Sequence, residues 1–263
     1  MFRPTDHLST GAGHCHFWGG EAANLDEAKA VLARQVDHNV DLIKIMATGG
    51  RLTAGSEPTD AQFSQAILDE IVATAHNLDL PVAAHCHGTE GIHRAALAGV
   101  DTIEHCSWVG PDGWASDYQE EVAQIILDNG VWVSPTVNKG WQRMLDSKSG
   151  NVLSRVRAAY RQMIDMGIPM LASTDAGIPG VYHEELPAAL VVFGKIAELT
   201  NDQALRSATS DAAKALRLDQ KTGHLKVGYD ADLAILDGDP IANLEAITKP
   251  VHVLARGATA LAG

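Results

Sequence analysis

Apolar positions along the chain fall into two alternating textures. Short apolar runs have the length and the β-branched content of buried strands: Leu42-Ile43-Lys44-Ile45-Met46, Pro81-Val82-Ala83-Ala84-His85, Val100-Asp101-Thr102-Ile103-Glu104-His105, Val131-Trp132-Val133-Ser134-Pro135 and residues 168–175. Between them, apolar residues recur at helical spacing. Phe63, Ile67, Leu68, Ile71, Val72 and Ala75 follow a Ser64 N-cap. Residues 92–97 predict a short helix ending near Gly99, residues 122–127 one that stops at Asn129-Gly130, and residues 152–166 one ended by Gly167. Asn24 with Glu27, and Thr200 with Gln203, are capping boxes. They open helices that reach about residue 38 and about residue 218.

The order is strand, helix, strand, helix, which requires parallel strands joined by crossover helices. Five strands are counted from Lys44 onward, with a sixth before Gly11. After Leu218 the texture changes. "TGHLKVGYDADLAILDGDP" has turns at Gly223, Gly228 and Asp237-Gly238 around a strand at 231–236, and "PVHVLARG" reads as another short strand. The chain therefore divides into an α/β part over 1–220 and a small antiparallel β segment over 221–263.

Composition narrows the function. At 263 residues and 46% hydrophobic, the chain is one large domain, or one with a small appendage. Asp and Glu number 33 against 20 Lys and Arg, a net charge of −13, which argues against nucleic acid and anionic membrane as partners. No apolar run approaches the ~20 residues of a membrane span. No apolar leader follows Met1, and the three cysteines are too few and too scattered for a disulfide framework. The expectation is a cytoplasmic protein acting on a small molecule.

Four strands end in residues able to bind metal: Lys44, His85, His105 and Asp175. Catalytic groups of parallel α/β proteins gather at such ends. Each alone has an ordinary structural reading: a snorkelling lysine, a hydrogen-bonded core histidine, a turn-capping aspartate. All four in one frame point to a metal site. Lys44, between Ile43 and Ile45, must be neutralised or paired when buried. Its neutral amine can take up carbon dioxide, giving an anionic carbamate whose two oxygens suffice to bridge two divalent ions. His87 faces the same side as His85 if the strand continues. Cys86 and Cys106 read as small apolar fillers, with a Cys/His zinc site as the alternative.

"DLIKIMATGG", "PVAAHCHG", "DTIEHCSW" and "LASTDAG" resemble strands four, five, six and eight of the amidohydrolase superfamily, in the branch of the imidazolonepropionases and Xaa-Pro dipeptidases. The segment after Leu218 resembles that branch's C-terminal β-sandwich. The likeness runs from about Gly11 to Gly257. It implies a TIM-type (β/α)8 barrel, incomplete, with strands three to eight present, plus the C-terminal part of a small β-sandwich. It also implies a hydrolase of amide or peptide C–N bonds, acting on dipeptides or N-acyl amino acids through divalent metal, zinc given the imidazole ligands. Lys44 would be the carboxylated bridging lysine. His85 and His105 would hold the second metal. Asp175 would ligate the first and shuttle the proton. His87 would lie behind the ligands or face the substrate.

"GAGHCHFWGG" contains a His-x-His, but no apolar strand precedes it, whereas the superfamily's ligand pair follows one. The segment resembles instead the branch's loop after strand three. His14 would then hydrogen-bond the substrate carbonyl, with His16 a weaker candidate and solvent-exposed loop histidines the ordinary reading. Arg51, past Gly49-Gly50, is placed to meet a substrate carboxylate or to be a solvated loop arginine. "SPTVNKGW" lacks the tyrosine that the branch often has after strand seven. The resemblance implies that strands one and two and their His-x-His are missing. On that reading the chain forms a homo-oligomer through its open edges. A non-catalytic remnant or scaffold of such an enzyme is the alternative function.

Overall fold

Side-chain oxygens start the helices at the positions the sequence marks. Asn24 accepts the Glu27 amide at 3.0 Å, and Glu27 reaches back to the Ala23 amide at 2.8 Å, opening α1 (Leu25–Asp37). Ser64 caps α2 (Gln65–Asn77) through the Ile67 amide. Gly99, at φ 75, closes α3 (Thr89–Ala98) in the left-handed conformation that glycine adopts without penalty. Helix α4 (Glu120–Asp128) follows, and Asn129-Gly130 ends it. The structure, a computed structural model, describes residues 8–147 and 150–262. The chain divides into two compact units, Met1–Ser134 with Gln162–Pro169, and Pro135–Arg161 with Met170–Gly263.

The first unit is built on a six-stranded parallel sheet. Its strands are β1 (Leu8–Ser9), β2 (Gly20–Glu21), β3 (Ile43–Met46), β4 (Val82–Gly88), β5 (Thr102–Val109) and β6 (Trp132–Ser134), in the order β2-β1-β3-β4-β5-β6. Ile43, Ile45, Ala84 and Ile103 are fully buried, as expected of a parallel sheet covered by crossover helices. The apolar faces of the helices supply Val31 and Leu32, Leu68, Ile71 and Val72, Ile92 and Ala95, and Val122 and Ile126.

Register aligns the strand ends. Met46 lies opposite His85, and Cys86 opposite His105. Beyond Cys86 the β4–β5 ladder shifts register, a bulge that re-aims the side chains at this end. His105, Cys106 and Trp108 all have left-handed backbone, at φ 68, 46 and 49.

The second unit contains an antiparallel sheet, β7 (Leu233–Leu236), β8 (Pro250–Ala255) and β9 (Ala258–Ala262). It also carries α5 (Gln142–Asp146), α7 (Leu186–Ile196), α8 (Asn201–Ser207) and α9 (Ser210–Ala215); α6 (Asn151–Met166) is divided between the two units. Thr200 and Gln203 form the reciprocal capping box of α8.

The structure departs from the sequence pattern at several places. Residues 168–175 form no strand. Pro169 has no amide to donate and Asp175 turns to φ 60, so a continuous ladder cannot run. Their backbone bonds go elsewhere, the Pro169 carbonyl accepting from Val133 and the Ala172 amide donating to Ser207. The sheet reaches six strands through β1 and β2. The helical region after Thr200 breaks between α8 and α9, and β9 adds a third antiparallel strand. Among the described residues no helix is long and apolar enough to cross a membrane.

Candidate metal centre

Three imidazoles meet along the middle and C-terminal parts of β4 and β5. Ring centroids lie 4.5 Å apart for His85 and His87, 4.5 Å for His85 and His105, and 4.4 Å for His87 and His105. One ring nitrogen from each falls within 4.8 Å of the others. His85 and His87 are buried, and His105 is half-buried. A fourth imidazole, His14, stacks on His85 at 4.6 Å and is 3% exposed.

Hydrogen bonds set which nitrogens carry protons. His85 Nε2 lies 3.1 Å from the Gly49 carbonyl. A carbonyl only accepts, so Nε2 is the protonated nitrogen and Nδ1 keeps its lone pair. His87 Nδ1 lies 2.9 Å from Ser107 Oγ, and when that N–H donates, Nε2 remains open. Burial pushes the pKa of His85 and His105 well below the usual imidazole range, and neighbouring charges push the same way. For His87, burial first and then His14, Arg51 and Lys44 lower it to about 3. Three neutral imidazoles with lone pairs to share are a chemically suitable donor set for a divalent ion.

Lys44 sits on β3 between two fully buried isoleucines. Its positive charge adds to burial in lowering the pKa of His14, His85, His87 and His105. The loop after β3 is tied to the same strand ends. The Ala47 and Thr48 amides donate to the His85 carbonyl, and Thr48 Oγ accepts the His87 amide at 2.9 Å and donates to the Gly49 carbonyl at 2.9 Å. The next two residues are glycine, and a side chain at either would crowd a neighbour. A Cβ on Gly49 would sit 2.0 Å from the Glu57 carbonyl oxygen, and one on Gly50 would sit 2.5 Å from the His14 ring.

The two histidines of the first loop part company. Cys15 between them is left-handed at φ 57. His14 turns inward, and among the described residues its buried Nδ1 has no partner. His16 turns toward Glu21, 3.8 Å away, outside the imidazole cluster. Cys86 and Cys106 are fully buried free thiols whose pKa burial raises, so they stay protonated; neither joins the cluster. Asp175 belongs to the second unit and is exposed, with a left-handed backbone.

Arg51 and Trp114 border the cluster. The guanidinium carbon lies 5.5 Å from the Trp114 ring centroid, and the indole meets His87 edge-on at 4.8 Å. The sequence pattern did not mark Trp114. Its only signal is position, just past the Gly110–Gly113 turn that follows a histidine-bearing strand.

The chain matches the amidohydrolase family over residues 13–259. Ochratoxinase from Aspergillus niger is 25% identical over 248 residues, covering 90% of this chain and 50% of that protein. Imidazolonepropionase from Cereibacter sphaeroides is 28% identical over 198 residues, covering 74% of this chain and 45% of the relative. The chain thus spans about half the length of these relatives. Among solved structures, a Xaa-Pro dipeptidase with bound methionine in its active site superposes with a TM-score of 0.85 at 25% identity, covering 100% of this chain and 68% of the other. Ochratoxinase from A. niger superposes with a TM-score of 0.82 at 23% identity, covering 100% and 66%, a likeness of fold.

Proposed function

The chain belongs to the amidohydrolase family, and from that premise we propose that it hydrolyses amide or peptide C–N bonds of small substrates with a divalent metal at the imidazole cluster. The observation that supports the reading is the convergence of three neutral histidines, two buried and one half-buried, on β4 and β5. His85 and His105 would hold the ion, zinc by preference for imidazole nitrogen. Lys44 as a carbamate would add an oxygen ligand, its amine nitrogen bonding to the carbon of carbon dioxide and releasing one proton. The ion would polarise the scissile carbonyl and lower the pKa of coordinated water.

The chain's own groups do the rest. His14 holds the carbonyl oxygen of the substrate by a hydrogen bond from its ring. The Thr48 hydroxyl fixes the loop after β3 against the His87 amide, keeping the strand ends in register during turnover. Dipeptides and N-acyl amino acids are the substrate class, supported by the relatives named for dipeptide and ochratoxin hydrolysis.

The test combines elemental analysis with a hydrolysis screen of Xaa-Pro dipeptides and N-acetyl amino acids. The expected result is one tightly held zinc equivalent per chain, lost in His85→Ala and His105→Ala, and a carbamate carbon signal from 13C-bicarbonate that disappears in Lys44→Ala. Wild-type protein that binds no divalent ion at neutral pH refutes the reading.

A further inference from the structure

A regular ladder would keep His105 away from the other two imidazoles. It pairs with Cys86, so in an undistorted strand its side chain would share the side of Cys86, opposite to that of His85 and His87. The left-handed backbone at His105, φ 68, re-aims it. Its ring then stands 4.5 Å from His85 and 4.4 Å from His87, so one distortion brings it to both. His87 is fixed from two sides. Thr48 Oγ accepts its amide at 2.9 Å, and Ser107 Oγ lies 2.9 Å from its Nδ1. The residue is only 8% exposed, yet among the described residues its Nε2 makes no hydrogen bond. With the proton on Nδ1, that nitrogen carries a lone pair with nothing to receive it. It belongs to the set of three ligand atoms that all lie within 4.8 Å of one another.

We propose that His87 is a third ligand of the metal ion, so that His85, His87 and His105 hold it together and Lys44 is not needed for it to bind. This rests on the metal-dependent reading of the cluster and deepens it. The ion enters first, and a carbamate on Lys44 joins a centre that three imidazoles already hold. Three protein ligands with one position left open is the ligand count of a catalytic zinc site. Ser107 is a positioning residue. Its hydroxyl fixes the ring of His87 and decides which nitrogen faces the ion. Charge sets the order of assembly. Among the described residues the Lys44 side chain has neither a hydrogen bond nor an ion pair. Until it is carboxylated its positive charge opposes a cation, so the imidazoles must supply the attraction. Once the ion is in place, it favours the anionic carbamate over the ammonium.

Zinc affinity, measured by competition with a chromophoric chelator in buffer stripped of bicarbonate, tests this without turnover. Visible spectra of the cobalt-loaded protein report the ligand set directly. The proteins are wild type, His87→Ala, Ser107→Ala and Lys44→Met. Ser107→Ala is expected to weaken zinc about 10- to 100-fold, the range for losing a hydrogen-bond partner behind a ligand. His87→Ala should weaken it further and change the cobalt bands. Free imidazole should restore both, which a packing role for His87 would not produce. Lys44→Met should bind zinc as tightly as wild type, or more tightly. Equal zinc affinity in wild type and His87→Ala, a loss in His87→Ala that imidazole does not restore, or a loss in Lys44→Met overturns the proposal. Should His87→Ala fail to fold, the other two variants decide: Ser107→Ala must weaken zinc and Lys44→Met must not. Tight zinc that depends on His87 in a protein that hydrolyses no amide leaves the three-histidine centre standing and the hydrolase reading fallen. An active hydrolase whose zinc is indifferent to His87→Ala does the reverse.

Discussion

Gly50→Ala tests how closely the first loop packs on the site. The added Cβ would lie 2.5 Å from both Cε1 and Nε2 of His14 and 2.9 Å from Cδ2. His14 is 3% exposed and already stacks on His85 at 4.6 Å, so its ring has no free direction inward. Overpacking of this kind costs ~1–3 kcal/mol. Gly50 is not left-handed, so alanine adds no backbone strain there and returns ~0.4–1 kcal/mol by restricting the unfolded chain. The net loss should be about 0–2.6 kcal/mol, or up to roughly 10 °C in Tm for a chain of this size. The assay is thermal and urea unfolding of wild type, Gly50→Ala, His14→Ala and the double variant. Without the imidazole the clash is gone, so Gly50→Ala should turn neutral or stabilising in the His14→Ala background. The same loss in both backgrounds would refute the packing argument, because the penalty would then lie in the loop itself.

Zinc at 100 times its Kd should raise stability by about 2.7 kcal/mol; His85→Ala and His105→Ala should abolish the rise and His16→Ala should leave it intact, as thermal melts with and without chelator will read. Stability of the metal-free protein should be flat above pH ~6.5 and fall below it, because the unfolded chain protonates histidines that the folded chain holds neutral, down to about pH 3 for His87. The slope in urea unfolding should be up to roughly 1.4 kcal/mol per pH unit for each such histidine, and a stability that rises on acidification would contradict their burial as neutral groups. Asn24→Ala removes the cap of α1 and should cost about 1 kcal/mol in the same unfolding assay, with zinc binding unaffected.

The buried strands were legible because parallel strands covered on both faces must be apolar throughout. β3, β4, β5 and β6 stand where the runs of isoleucine, valine and alanine are. The capping residues Asn24, Ser64 and Thr200 were legible because their short side chains have one local task. His85, His87 and His105 are brought together by the pairing of β4 with β5, and alternation put His85 and His87 on one side. Helix α7 left no period to read, since Leu190, Val191, Val192 and Phe193 are buried in succession. β2 was invisible because two residues, Gly20 and Glu21, carry no pattern. Residues 168–175 look like a strand by composition, and only Pro169 and the turn at Asp175 argue otherwise. Trp114 reaches His87 through a turn whose geometry is tertiary, so no local spacing announces it.

The left-handed backbone at His105 bears on how this site can drift under mutation. Among residues with a Cβ, histidine, asparagine and aspartate are those enriched in that conformation. Both asparagine and aspartate codons are a single nucleotide away from histidine codons. The substitutions that the backbone at position 105 tolerates best are therefore also among the most accessible to the genetic code, and both still carry an oxygen able to ligate. A lineage losing His105 by point mutation can keep its fold while trading a nitrogen ligand for a harder oxygen one. On the proposed zinc reading, its metal preference would then move toward manganese or magnesium before the site is lost.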